Sequence, residues 1–149
     1  LQTVTTHTFK WQAHYPLGRV SMVSTLDAVC RQKDGQARWG RMLSQRISAP
    51  LWNKRLRVGG IAAWFHTADY ATALRLYEPQ LRYTFSFPAC YYHGLRAVVT
   101  ASGTLSRKVE VSAKYAITHL TNRREIGSGA QLINSDTKQD IYAQIIWQF

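Results

Sequence analysis

Asp140-Ile-Tyr-Ala-Gln-Ile-Ile-Trp-Gln-Phe149 closes the chain, and its side chains alternate. Ile141, Ala143, Ile145, Trp147 and Phe149 take every second place, while Asp140, Tyr142, Gln144, Ile146 and Gln148 take the places between. A pleated backbone sends successive side chains to opposite faces, so the stretch reads as a strand with one apolar and one mostly polar face. Which medium meets the apolar stripe, a protein core or lipid, sets the reading of everything upstream.

The same alternation recurs along the chain. Phe9, Trp11, Ala13 and Tyr15 alternate with Thr8, Lys10, Gln12 and His14; Tyr15-Pro-Leu-Gly18 turns the chain. A second strand is expected over Arg19 to Arg31, followed by a hairpin loop at Lys33-Asp-Gly-Gln36. The third, Ala37 to Ala49, has the least regular stripe, and Pro50 to Asn53 ends it. From Lys54 to Phe65 the period returns, with Leu56, Val58, Ala62 and Trp64 on one side and Arg55 and Arg57 on the other. Two shorter strands, Ala71 to Tyr77 and Leu81 to Phe87, are expected around a turn at Glu78-Pro-Gln80, because Pro cannot donate to a ladder. Leu95 to Leu105 and Lys108 to Leu120 follow, and the long connection Asn122 to Lys138 leads into the terminal strand. The expectation is nine up-and-down antiparallel strands in one all-β domain.

Composition narrows the class. The 149 residues carry 19 Lys+Arg against 8 Asp+Glu, a formal charge of +11, with 12% aromatics and a mean hydropathy of −0.26. A large charge beside many aromatics argues against disorder. No apolar run nears the ~18 residues of a spanning helix, whereas barrel strands need only ~9–11 residues, half of them polar. Cys30 and Cys90 match no metal spacing and could pair only on neighbouring strands.

With its apolar stripe running to a terminal Phe, the Asp140–Phe149 stretch resembles the closing strand of a Gram-negative outer-membrane β-barrel. That resemblance implies that Ile141, Ala143, Ile145, Trp147 and Phe149 form the signal read by the barrel-assembly machinery. If this strand descends to the periplasm, the short turns at Tyr15–Gly18, Leu51–Asn53, Glu78–Gln80 and Leu105–Arg107 fall inside, and the connections at Lys33, His66, Pro88 and Asn122, which include the longest, fall outside. Bacterial barrels show that asymmetry. Nine strands are odd where such barrels are even, and the sequence opens at Leu1 with the β pattern under way by Thr3. The expectation is therefore the closing, carboxyl-terminal section of a larger barrel, paired with further strands of its own chain.

Tyr77-Glu-Pro-Gln-Leu-Arg-Tyr-Thr-Phe-Ser-Phe-Pro88 and Ile126-Gly-Ser-Gly-Ala-Gln-Leu-Ile-Asn-Ser-Asp-Thr-Lys-Gln-Asp140 resemble the barrel end of large Bacteroidota outer-membrane proteins with amino-terminal helix-hairpin-helix repeats. The likeness covers roughly Leu51 to Phe149. It implies a fold and a location rather than an activity, and a nucleic-acid partner of such repeats has no residues in this chain.

Lys10, Arg55, Arg57, Arg75, Arg82, Arg96 and Lys114 are the basic candidates for a lumen that attracts anions; alternatively they meet lipopolysaccharide and phospholipid headgroups or pair with Asp27, Glu110 and Asp140. Trp11, Trp39, Trp52, Trp64 and Trp147, with several Tyr, read as an interfacial aromatic girdle or as stacking platforms for bases. No metal or cofactor motif and no acid/base pair stands out, so no enzyme is expected; Ser112 with His119 and Ser102 with His93 are the juxtapositions to check. Two functions stay open. One is a section of an outer-membrane barrel serving passage, anchoring or assembly, with lipid and other envelope proteins as partners. The other is a soluble all-β module for an anionic ligand, with its stripe turned inward.

Overall fold

Period-two sequence becomes one large antiparallel sheet in the computed structural model, which describes residues 4–52, 55–126 and 132–149. Its strands are β1 (Val4–Leu17), β2 (Val20–Lys33), β3 (Gln36–Leu51), β4 (Leu56–Thr67), β7 (His93–Ser106), β8 (Val109–Leu120) and β9 (Thr137–Trp147). They lie in the order β1-β2-β3-β4-β7-β8-β9, and a separate two-stranded ladder joins β5 (Leu74–Arg75) to β6 (Ala89–Cys90). The sheet is not closed: among the described residues β1 and β9 each pair on one side only.

Local chemistry explains the turns. Asp34 and Gly35 both take positive φ, 50° and 77°, between β2 and β3. This is the Asp-Gly hairpin whose backbone twist suits paired strands. Gly18 supplies the positive φ that turns β1 into β2. Pro16 is tolerated within β1 because that strand is an edge.

Seven strands, not nine, make the sheet. Leu81 to Phe87 is not a strand, and Ala71 to Tyr77 contributes only part of a 3₁₀ turn (Tyr70–Thr72) and the two residues of β5. The Glu78–Gln80 stretch is therefore not a turn between sheet strands. Residues 68–92 are one long connection from β4 to β7, which pair directly from Leu56↔Gly103 to His66↔His93. Thr3, where the β pattern is expected to be under way already, the Asn53 and Lys54 boundaries, and the Gly127 to Gln131 part of the Asn122 to Lys138 connection lie outside the described residues.

The connection folds back over one face of the sheet. Leu74, Leu76 and Cys90 from it pack with Met42, Ile61, Phe65, Val98, Ala116 and Leu120 from β3, β4, β7 and β8, and this cluster is the core. Two glycines make the close approaches possible. A Cβ on Gly40 would lie 2.5 Å from the Thr72 carbonyl oxygen, and one on Gly94 would run into the His119 carbonyl and Phe65. Asp69 caps the 3₁₀ turn through the Thr72 N–H at 3.1 Å, and the Arg38 guanidinium from β3 donates to its carboxylate.

Candidate functional site

Register sorts every strand side chain onto the covered or the bare face. The row Lys10–Asp27–Met42–Phe65–Gly94–Leu120 runs across the covered face, and Trp11–Leu26–Leu43–Trp64–Leu95–His119 runs across the bare one. On the seven strands, Lys10, Asp27, Arg31, Lys33, Arg38, Arg46, Arg57, Arg96, Glu110, Lys114, Lys138 and Asp140 share the covered face. The bare face holds one charge, Arg41, beside His66 and His93 near one end of the sheet.

Large apolar side chains outside the core mostly go the other way. All five tryptophans are exposed, from 43% for Trp64 to 81% for Trp52, as are Phe9, Leu43, Val99, Ile141 and Ile145. In a water-soluble domain Trp is mostly buried and contiguous apolar surface is small. Neutral polar groups on the bare face bond one another. Tyr15 Oη meets Ser24 Oγ at 2.9 Å, Ser24 Oγ donates to Gln45 Oε1 at 2.5 Å, and Tyr115 Oη donates to Gln139 Oε1 at 3.1 Å.

Glu78 is the centre of the covered face. Its carboxylate accepts from Arg96 Nε at 2.9 Å and from Lys114 Nζ at 2.5 Å, with side-chain exposures of 1%, 9% and 4%. Arg96 also donates to Thr118 Oγ1 at 2.6 Å, and Lys114 to Gln80 Oε1 at 3.0 Å. Two cations rising from adjacent strands thus meet one carboxylate lowered onto them by the connection. Burial without such pairing would be prohibitive. The sequence reading missed Glu78 because Pro79 after it signals a turn, where an acid is ordinarily solvated.

The other basic candidates are more exposed. Lys10 Nζ lies 3.6 Å from Asp27 and 4.4 Å from the Tyr77 ring centre. Arg82 pairs with Glu110 at 2.8 Å and Arg75 donates to the Phe87 carbonyl at 3.5 Å; both stand on the connection rather than on strands of the sheet. Arg55 and Arg57 make no ion pair among the described residues, and Arg57 points to the covered side of β4. The seven therefore do not form one site. Of the residues at the chain's end, Ile141, Ala143, Ile145 and Trp147 line the bare face of edge strand β9, and Phe149 follows with its ring stacked 6.1 Å from that of Trp147.

Ser112 and Ser102 lie on the covered face, His119 and His93 on the bare one, so neither Ser–His pair is brought together. Cys30 faces the bare side of β2 and Cys90 is buried in the connection; both are free. Burial pushes the Cys90 thiol up to about 12, which makes it inert as a nucleophile at neutral pH. Among the described residues no group of His, Cys, Asp and Glu could hold a metal ion. Among the same residues no helix is long and apolar enough to cross a membrane.

Comparison with protein-family models, curated proteins and solved structures matches nothing to this chain.

Proposed function

We propose that this sheet is part of the wall of an outer-membrane β-barrel, with its bare face toward acyl chains and its covered face toward the interior. The observation that carries the reading is the division of charge across the sheet: twelve charged side chains on the covered face and Arg41 alone on the bare one. Facing lipid, each charge near midplane costs ~2–4 kcal/mol, so a spanning sheet confines charge to the interior and the rims. Arg41 fits the second place, since it lies near the end of the sheet where β4 gives way to the connection. Barrel closure by further strands would satisfy the open margins of β1 and β9.

On this reading the β4–β7 connection is an inward-folded plug and the basic residues set the electrostatics of the remaining passage. Interior polar side chains with loops folded among them are usual in such barrels. The resemblance of Tyr77–Pro88 to Bacteroidota barrel proteins is part of the proposal, with Tyr77–Pro88 as plug rather than wall. A soluble module for an anionic ligand would instead need a second layer of protein over the bare face. Alkaline carbonate extraction of washed envelopes separates the two: the chain is expected to stay in the membrane pellet until detergent is added. Release without detergent would sink the barrel reading.

A further inference from the structure

A second polar locus lies under the connection, apart from Glu78. It is a cavity of about 400 Å³ between the covered face of β1–β4 and the Leu76–Tyr77 stretch. That volume falls within the roughly 300–1,000 Å³ of small-molecule sites. The register stacks its floor in rows, Lys10–Asp27–Met42, then Gln12–Thr25–Ser44, then His14–Val23–Arg46–Ile61. Lys10 is neutralised by Asp27. Arg46 is not: it lines the cavity half-buried, and no carboxylate among the described residues lies within ion-pair distance of it. Asp27 is two rows away along the strands, about 14 Å by strand rise, and is engaged with Lys10.

A half-buried guanidinium keeps its full charge, and its planar fork suits a carboxylate. One uncompensated cation calls for a single negative charge. The Ser44 and Thr25 hydroxyls offer further hydrogen bonds, and Met42, Ile61 and Leu76 give an apolar bed for the rest of the molecule. We propose that this cavity binds a small organic monocarboxylate, its head on Arg46 and its apolar body against Met42, Ile61 and Leu76. Membrane position does not enter, because the cavity is formed between the sheet and its own connection.

Benzoate and its neutral isostere benzamide are the probes, titrated calorimetrically into the folded full chain. Benzoate is expected to bind with a Kd on the order of 0.1 mM and benzamide at least about tenfold more weakly. Arg46→Gln removes that difference, whereas Arg107→Gln, in the exposed β7–β8 turn, keeps it. Phenylglyoxal labelling of the unaltered protein gives a readout that needs no variant: benzoate slows modification of Arg46 and leaves Arg107 unchanged. Equal binding of the two probes, no binding of either, benzoate preference surviving in Arg46→Gln, or unprotected Arg46 would each overturn the assignment.

Discussion

Glu78 and Arg96 meet at 2.9 Å where neither side chain has more than a tenth of its surface in solvent, and the contact joins the β4–β7 connection to the sheet beneath it. Lys114 completes the bridge from the next strand. Removing the shared carboxylate leaves two buried cations facing each other, so Glu78→Gln is expected to cost about 3–5 kcal/mol. Urea unfolding followed by tryptophan fluorescence measures it. Replacing all three together, Glu78→Leu with Arg96→Met and Lys114→Met, should restore most of the loss, because apolar residues of similar volume replace buried ion pairs at little cost. A triple variant as unstable as Glu78→Gln would show that the charges matter for more than mutual compensation.

Gly40 controls how closely the 3₁₀ turn lies on β3. Gly40→Ala places a methyl 2.5 Å from the Thr72 carbonyl oxygen, which is backbone and cannot rotate away. The expected cost is about 1–3 kcal/mol. It should appear locally, as faster amide exchange at Thr72 and Ala73 and faster proteolysis within residues 68–92, with the ladder amides of β7 and β8 unchanged.

Acid should loosen the same turn. Burial alone would raise the Asp69 carboxyl, but the hydrogen bond and charge of Arg38, with the Thr72 hydroxyl and amide, outweigh it and hold the group below its ordinary value of 3.8. The folded state therefore binds this proton less readily than the unfolded chain does. The stabilisation is complete above 3.8 and is lost as pH falls through that value toward the lower one of the folded state. Proteolysis of residues 68–92 by an acid-active protease should accelerate over that window, and Asp69→Asn should make the rate insensitive to it.

Val99 tests the medium against the bare face. It sits mid-strand in β7, 53% exposed, in the row Tyr15–Met22–Ile47–Gly60–Val99–Tyr115–Ile141. Facing acyl chains, Val99→Arg should cost ~2–4 kcal/mol in reconstituted bilayers. Facing water, it should change stability by no more than about 0.5 kcal/mol.

The barrel reading gives Phe149 a different role. If the Ile141–Phe149 stripe is the assembly signal, deleting Phe149 should lower the amount reaching the outer membrane while the purified protein, refolded in detergent, keeps its stability. Equal yields in envelope fractions would count against that role.

Much of the sheet was legible because a strand with unlike faces writes its period directly into the sequence. Lys108 to Leu120 matches β8 to within a residue, and Asp-Gly at 34–35 placed the β2–β3 turn. The connection was misread for the same reason. Leu74, Leu76 and Glu78 are buried while Arg75 and Tyr77 are exposed, the alternation of any extended chain lying on a surface, with or without a ladder. Period two reports where side chains point and says nothing of where the N–H groups donate. Leu81 to Phe87 alternates too, yet Tyr83 and Phe85 are 76% and 88% exposed and no strand pairs there. Arg46 and Glu78 could not be singled out beforehand, since what distinguishes them is the partner each has or lacks across many residues.

Six antiparallel steps separate β1 from β9, and six reversals cancel, so the sheet's two unpaired margins point in the same direction. Brought together they would form a parallel seam. A ring of identical copies, each inserted the same way up, would repeat that seam at every junction. A cylinder of such copies that keeps all neighbours antiparallel would therefore need an odd number of strands from other polypeptide sequence at each junction, and copies set the same way up could not close it alone.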